Sequence, residues 1–324
     1  MPMRRAHLAP ALGAALSCLL MSPAEPAAAA PRRPAPPLPA PSLSAVFDAY
    51  WTPARMRAAR PVAGDGKPAA PIAARAGAPG PTANSRPFGG LPMVGTFFWQ
   101  DATGAGRFCS GSVVSSPGRN LVMSAGHCFD DQRARKRLTF VPKYDDGRKP
   151  YGAFAVKPGR VYVDKRYLTK GPNAAADLDF SFLQLEKRAG RNVQDVVGGS
   201  ELAVNPGYRH PTVRLIGYPA AKKRPLDCTD KTVRYDSRDP KIPGSFLRIH
   251  CDGYTNGVSG GPFLVKKGSG WRIIGVIGGW KTGGDKADIS YSSYFDKDVK
   301  ALYDSAVANR PPAHRVRRLI ATDG

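Results

Sequence analysis

From Leu91 to Tyr294 the chain is written in short apolar runs separated by glycine, proline and aspartate. Met93–Trp99, Arg107–Ser115, Asn120–Ser124, Leu138–Lys143, Gly159–Asp164 and Leu178–Leu185 form one set. Thr212–Gly217, Ser245–Cys251, Pro262–Lys266, Trp271–Ile277 and Ile289–Tyr294 form a second. Runs this short suit strands held between turns, and they predict an all-β sandwich or barrel. Periodicity alone does not choose between those two. Beyond them Val299, Leu302, Tyr303 and Ala306 recur at helical spacing behind Asp296 and Asp298, either of which can act as a cap. A closing helix is expected there, then a basic tail over 309–324.

The first 86 residues have a different texture. Arg4 and Arg5 precede an apolar run from Leu8 to Met21 and the small residues Ala27 to Ala30, the layout of an export signal over 1–30. The run is too short to span a bilayer comfortably. Leu16-Ser17-Cys18 faintly resembles a lipoprotein site, but the alanine-rich exit fits ordinary cleavage better. Residues 31–86, rich in alanine, proline, glycine and arginine, read as a pro-region or linker that cannot bury a core. One island interrupts them, Ser42 to Arg60, where Val46, Phe47, Tyr50 and Trp51 cluster before Thr52-Pro53, a helix start. Either the island packs against the domain that follows, or it is a weakly ordered stalk.

Lys and Arg outnumber Asp and Glu by 48 to 25, a formal net charge of +23. Ten basic and three acidic residues lie in 1–86, so the central region keeps most of the excess. Such a field can attract anionic polymers or acidic proteins. Without aromatic-basic interleaving or a nucleic-acid motif, it reads as a solubilising composition, and no nucleic-acid partner is expected. No other stretch is apolar enough for stable membrane insertion. Once Cys18 leaves with the signal, Cys109, Cys128, Cys228 and Cys251 remain, an even set that in an exported chain implies two disulfides of undetermined pairing. Metal binding is the weaker reading, because no Cys-x-x-Cys or paired-histidine spacing occurs.

The chemistry concentrates in Asn256-Gly257-Val258-Ser259-Gly260-Gly261-Pro262. A serine between glycines, followed by the apolar Phe263, Leu264 and Val265, suits a nucleophile on a tight turn. The amides of Gly257 and Ser259 can then aim at one spot, as an oxyanion hole requires. Upstream lies a histidine, in Ser124-Ala125-Gly126-His127-Cys128, and between the two an aspartate, in Asp177-Leu178-Asp179-Phe180-Ser181-Phe182-Leu183. The other histidines have simpler readings: His7 in the signal, His314 in the tail, His210 in a loop, His250 on a strand.

In their order and content, these three motifs and the cysteine placement resemble the chymotrypsin-like (trypsin-fold) serine peptidases, in particular their secreted bacterial trypsin-like group. The resemblance spans roughly Gly90 to Phe295. It implies a peptidase domain over 87–308 made of two six-stranded antiparallel β-barrels, about 90–190 and 205–295, joined by Lys187 to Asn205 and closed by the C-terminal helix. It implies disulfides Cys109–Cys128 and Cys228–Cys251, a catalytic triad of His127, Asp179 and Ser259, and an oxyanion hole from Gly257 and Ser259. Gly253 and Tyr254, with Gly278 and Gly279 of the substrate-binding strand, are expected to contact substrate. Asp177 rivals Asp179, being two residues away and on the same strand face. Relatives often carry an extra acid just upstream, so Asp179 is preferred.

The implied protein is a secreted, extracellular serine endopeptidase, a monomer acting on proteins or peptides, with no metal or organic cofactor. An esterase or acyltransferase using the same triad, or an impaired peptidase-fold binding protein, are the competing functions. Two departures stand out. Val258 replaces the aspartate that receives the freed N-terminus in animal relatives. Glycine stands where a serine commonly supports the triad aspartate, in Gly275-Val276-Ile277-Gly278-Gly279-Trp280. The specificity position six before Ser259 is Gly253, with Asp252 beside it, so cleavage after Arg or Lys is only one option. A glutamate pocket is disfavoured by Ile277, where a histidine would stand.

Overall fold

The computed structural model describes residues 40–62, 84–130, 135–220 and 224–310. The expected export signal, 63–83 of the Ala/Pro-rich segment and the basic tail from 311 lie outside the described residues.

Ser42 caps α1 (Leu43–Tyr50) by accepting from the Ala45 N–H, and Thr52 caps α2 (Pro53–Ala58) by accepting from the Arg55 N–H. Pro53 sits at the first helical position, where its missing N–H costs nothing. Two short strands follow, β1 (Arg60–Pro61) and β2 (Ser85–Pro87). The first barrel then comprises β3 (Val94–Gln100), β4 (Gly106–Val114), β5 (Leu121–Ser124), β6 (Lys136–Pro142), β7 (Phe154–Val163) and β8 (Ser181–Leu185). They pair antiparallel in the order β4-β3-β6-β7-β8-β5, and a β4–β5 ladder closes the sheet, with β1 added in parallel outside β4. Helix α3 (Lys165–Ala174) precedes β8 and α4 (Val193–Val197) follows it, inside the expected linker.

The second sheet holds β9 (Glu201–Leu202), β10 (His210–Gly217), β11 (Leu226–Asp236), β12 (Ser245–His250), β13 (Pro262–Lys267), β14 (Gly270–Val276) and β15 (Ile289–Ser293). Six of these pair antiparallel as β15-β12-β11-β10-β13-β14, while β9 joins β14 in parallel and β2 joins β11. No ladder joins β14 to β15. They meet instead where Val276 N–H donates to Ser292 Oγ (3.0 Å) and Gly278 N–H to the Tyr291 carbonyl (3.0 Å). The last element among the described residues is α5 (Lys297–Val307), capped by Asp296, one of the two aspartates the sequence offered. It lies against the first barrel, with Tyr303 edge-on to Phe182 and Gln184 Nε2 donating to the Ala306 carbonyl at 2.8 Å. Asn309, expected to open the tail, still accepts from Arg160 and Gln184.

The island over 42–60 is part of the fold and not a stalk. Strand β3 is buried on both faces: Phe97 packs inside the barrel on Phe140 and Phe129, while Phe98 points outward onto Trp51 and Tyr144. Trp51 and Met56 are thereby buried, and Trp51 Nε1 donates to the Arg137 carbonyl at 2.9 Å. Asp48 pairs with Lys149 (2.6 Å) and Arg188 (2.9 Å), and the Ala155 N–H donates to buried Ser44 Oγ (3.1 Å). Both disulfides have the expected pairing, Cys109–Cys128 and Cys228–Cys251.

Candidate active site

His127 and Asp179 come together because their strands do. Strands β5 and β8 are paired with Ser124 opposite Ser181, so the turn after β5 and the turn before β8 leave the barrel side by side. The Cys109–Cys128 bond anchors the first turn to β4. Asp179 is fully buried, and three donor groups meet its carboxylate. His127 Nδ1 lies 2.8 Å from Oδ2 and 3.1 Å from Oδ1, the His127 backbone N–H donates to Oδ1 (2.8 Å), and the Gly279 N–H donates to Oδ2 (2.7 Å). An ionised carboxylate only accepts, so the Nδ1 contact fixes the proton on Nδ1, and in the neutral ring leaves the lone pair on Nε2.

Asp177 is not on a strand, contrary to the expectation. Residues 176–178 form a 3₁₀ turn, which puts the Asp177 residue at the surface while Asp179 turns inward. Gly278 has no space for the serine of the family pattern. A Cβ there would sit 2.9 Å from the Asp179 carbonyl oxygen and 3.0 Å from Oδ2. Gly278 and Gly279, expected to contact substrate, also support Asp179, the first by close packing and the second by its backbone N–H. Tyr254 is a correction. Its ring is fully buried in the second barrel and its hydroxyl donates to the Leu215 carbonyl (2.6 Å), so it belongs to the core and not to a substrate surface. Gly253 adopts a positive φ beside it, next to Asp252.

Ser259 lies on the turn between β12 and β13 and is held against β4, whose Cys109 is bonded to Cys128 next to His127. Its carbonyl accepts from the Ser110 N–H (2.8 Å), and the next residue, Gly260, donates to the Ile277 carbonyl (2.8 Å). Gly260 has φ +80°, and a Cβ on it would fall 2.9 Å from the Ala125 amide nitrogen, two residues before His127. Only glycine permits this approach.

Peptide orientation in the turn is set carbonyl by carbonyl. The Asn256 carbonyl accepts from Ala220 N–H (2.9 Å), that of Gly257 from Ser110 Oγ (3.0 Å), and that of Val258 from Gly261 N–H (2.8 Å). All peptide bonds among the described residues are trans, which places each N–H opposite the carbonyl of its own peptide. Pinning the carbonyls of Asn256 and Val258 therefore directs the N–H groups of Gly257 and Ser259. Val258 is fully buried in the second barrel core, an apolar plug where animal relatives use an ion pair.

Three residues near the site carry no motif signal. Ser110 follows Cys109 as a plain strand serine. Tyr167 sits on the short helix α3, and burial together with the negative charge of Asp179 raises its phenol well above the usual range. Asn84 donates its N–H to Asp252 Oδ2 (2.9 Å) and its Nδ2 to the His250 carbonyl (2.8 Å), and its Oδ1 accepts from Asp252 N–H (2.9 Å).

Two antiparallel sheets of this connectivity, with a buried histidine–aspartate pair on the first and a glycine-flanked serine turn on the second, define the chymotrypsin-like class. A family model described as a trypsin-like peptidase domain matches residues 109–276, more than half of the chain, and the protein belongs to that family. Among solved structures it is similar to the protease Anisep from Arthrobacter nicotinovorans, at 25% identity and TM-score 0.59, covering 69% of this chain and 99% of that one. It is similar also to the thermostable serine protease AL20 from an extremophilic microorganism, at 26% identity and TM-score 0.56, over 67% of this chain and 97% of that one. A Glu endopeptidase in complex with MPD shares the fold at 16% identity and TM-score 0.53, over 70% and 98% of the two chains. No curated protein matches the chain.

Proposed function

We propose that the protein is an exported serine endopeptidase that cleaves peptide bonds through an acyl-enzyme, with Ser259 as nucleophile, His127 as base and acid, and Asp179 as the partner of the imidazole. The observation that carries the reading is the bond from His127 Nδ1 to Asp179, a carboxylate already held by two backbone N–H groups. A carboxylate so held keeps the imidazole in one tautomer and stabilises the imidazolium that forms as it takes a proton.

His127 Nε2 takes the Ser259 hydroxyl proton as Oγ bonds to the carbonyl carbon, and the carbonyl π pair moves to oxygen. The Gly257 and Ser259 N–H groups stabilise that oxyanion. The C–N bond breaks as the imidazolium gives its proton to the leaving amine, leaving an ester on Ser259. Water, deprotonated by His127, then attacks the ester, and Ser259 leaves with the proton. Two disulfides fit an oxidising compartment, in keeping with the export signal. Gly253 remains a substrate-contact candidate, six residues before Ser259.

An organophosphonate serine probe tests the reading. Mass-spectrometric labelling at Ser259, abolished in Ser259→Ala and in His127→Ala, supports it, whereas an unlabelled wild type overturns it. A peptide-library digest then distinguishes peptide-bond cleavage from ester hydrolysis.

A further inference from the structure

We propose that Ser110 is a positioning residue for the oxyanion hole, standing where the protein lacks an ion pair behind its nucleophile; this rests on the assignment of Ser259 and Gly257 above. Ser110 is fully buried at the middle of β4, and two of its four hydrogen bonds go directly to the nucleophile turn. Its N–H donates to the Ser259 carbonyl (2.8 Å), its Oγ donates to the Gly257 carbonyl (3.0 Å), and the same Oγ accepts from the Tyr218 N–H (2.9 Å). Its own carbonyl accepts from Ser124 Oγ (2.8 Å), on the strand that leads to His127. Cys109, the preceding residue, is bonded to Cys128, the residue after His127.

The nucleophile turn needs an anchor from outside. Val258 fills an apolar site and offers no polar group of its own. Of the carbonyls of residues 256–259, those of Asn256 and Val258 accept from N–H groups of the second barrel and its turn, and those of Gly257 and Ser259 both accept from Ser110. Ser110 Oγ reaches the Gly257 carbonyl across from the first barrel. It relays to the Tyr218 N–H, and two residues on the Ala220 N–H holds the Asn256 carbonyl, whose peptide carries the Gly257 N–H. Removing the hydroxyl thus loosens the orientation of the oxyanion donors from both sides, while the Ser110 backbone bond to Ser259 stays.

The test is Ser110→Ala, read by four measurements: kcat, KM, the affinity for a peptide boronic acid, and Tm. A boronate bonded to Ser259 places an oxygen in the oxyanion hole, so it reports that hole and not general substrate binding. Deleting one oxyanion donor outright costs about 10²–10³-fold in kcat, which bounds the effect of loosening it. The expected result is kcat lower by about 10–100-fold, KM within about twofold, and boronate affinity falling in parallel with kcat. Unchanged kcat and boronate affinity, or a raised KM with kcat intact, overturns the proposal. Should Ser110→Ala fail to fold, Ser110→Cys keeps the shape with a weak donor. A wild-type kcat in that variant overturns the proposal, and a reduced kcat with KM held supports it. Organophosphonate labelling of the wild type at Ser259 is the control: its failure removes the nucleophile assignment, and success with an unaffected Ser110→Ala removes only the role of Ser110.

Discussion

Gly279 donates its backbone N–H to Oδ2 of Asp179 at 2.7 Å, giving the buried carboxylate from the main chain what a serine hydroxyl commonly gives it in this family. The adjacent Gly278 is packed so closely on Asp179 that a Cβ would lie 2.9 Å from its carbonyl oxygen. Restoring the family serine with Gly278→Ser therefore pushes the aspartate instead of supporting it. Misplacing a catalytic group by a fraction of an ångström is costly, and kcat is expected to fall by at least about tenfold. Steady-state kinetics on a peptide substrate check this, alongside Tm. A variant as active as the parent contradicts the backbone account.

The two candidate aspartates separate on the same geometry. Asp179 is fully buried and bonded to His127, whereas the Asp177 residue is at the surface on a 3₁₀ turn. In a well-characterised triad of another protein, the Asp→Asn change costs about 10⁴-fold in kcat because it favours the wrong imidazole tautomer. Asp179→Asn is expected to show a comparable loss with Tm little altered, and Asp177→Asn to stay within about threefold of the parent by the mutant-kinetics comparison. If Asp177→Asn is the inactive one, the assignment is reversed.

Motif order pointed to the proposed triad in the sequence: His127, Asp179 and Ser259 each sit among neighbours with a distinct pattern, and the bonded His127–Asp179 pair and both disulfides match what the resemblance implied. What stayed hidden is held by the backbone or by ordinary residues. Ser110 reads as any strand serine, and no spacing announces that its hydroxyl meets Gly257 across 147 residues. Strand β11 was missed because Leu226–Asp236 is dotted with charges, its buried residues being concentrated near the start. Helix α3 buries only Tyr167, too little for an apolar stripe. The docked island did leave a trace. Phe97-Phe98-Trp99 is a continuous apolar run, and a strand without alternation has both faces covered.

That docking is expected to weaken in acid. Burial pushes the Asp48 carboxyl up, but Lys149 and Arg188 outweigh it and hold it below its ordinary 3.8. A group with a lowered folded pKa contributes stability that is present above its unfolded pKa and lost as pH falls through the folded one. Asp48→Asn is thus expected to lower Tm by about 2–4 °C at neutral pH, and the gap should close as pH drops below about 4. Thermal melts of both proteins across pH 2–8 measure it. A gap constant with pH means that Asp48 contributes shape and not charge. The companion Trp51→Ala, which removes a buried indole, should cost about 3–5 kcal/mol at any pH.

The N-terminal segment also reaches the second barrel, where Asn84 and Asp252 exchange hydrogen bonds in both directions. Asp252 immediately precedes Gly253, whose positive φ turns the chain into the loop before Ser259. With Val258 buried in apolar surroundings, this loop takes no support from an ion pair at that position. Asn84 supplies three hydrogen bonds to residues 250–252, by its backbone N–H, its Nδ2 and its Oδ1. Asn84→Ala removes the two from the side chain and leaves the backbone one. The Asn84 residue is exposed, so the global stability effect should be small, below about 1 kcal/mol. The loop it steadies lies upstream of the nucleophile turn, while Asp179, His127 and Ser259 keep their own partners. The loss is therefore expected in substrate binding: KM raised by about three- to tenfold, kcat within about twofold, and organophosphonate labelling of Ser259 intact. A fall in kcat at constant KM instead places the clasp in the chemistry, and unchanged kinetics would show that the loop holds its shape unaided.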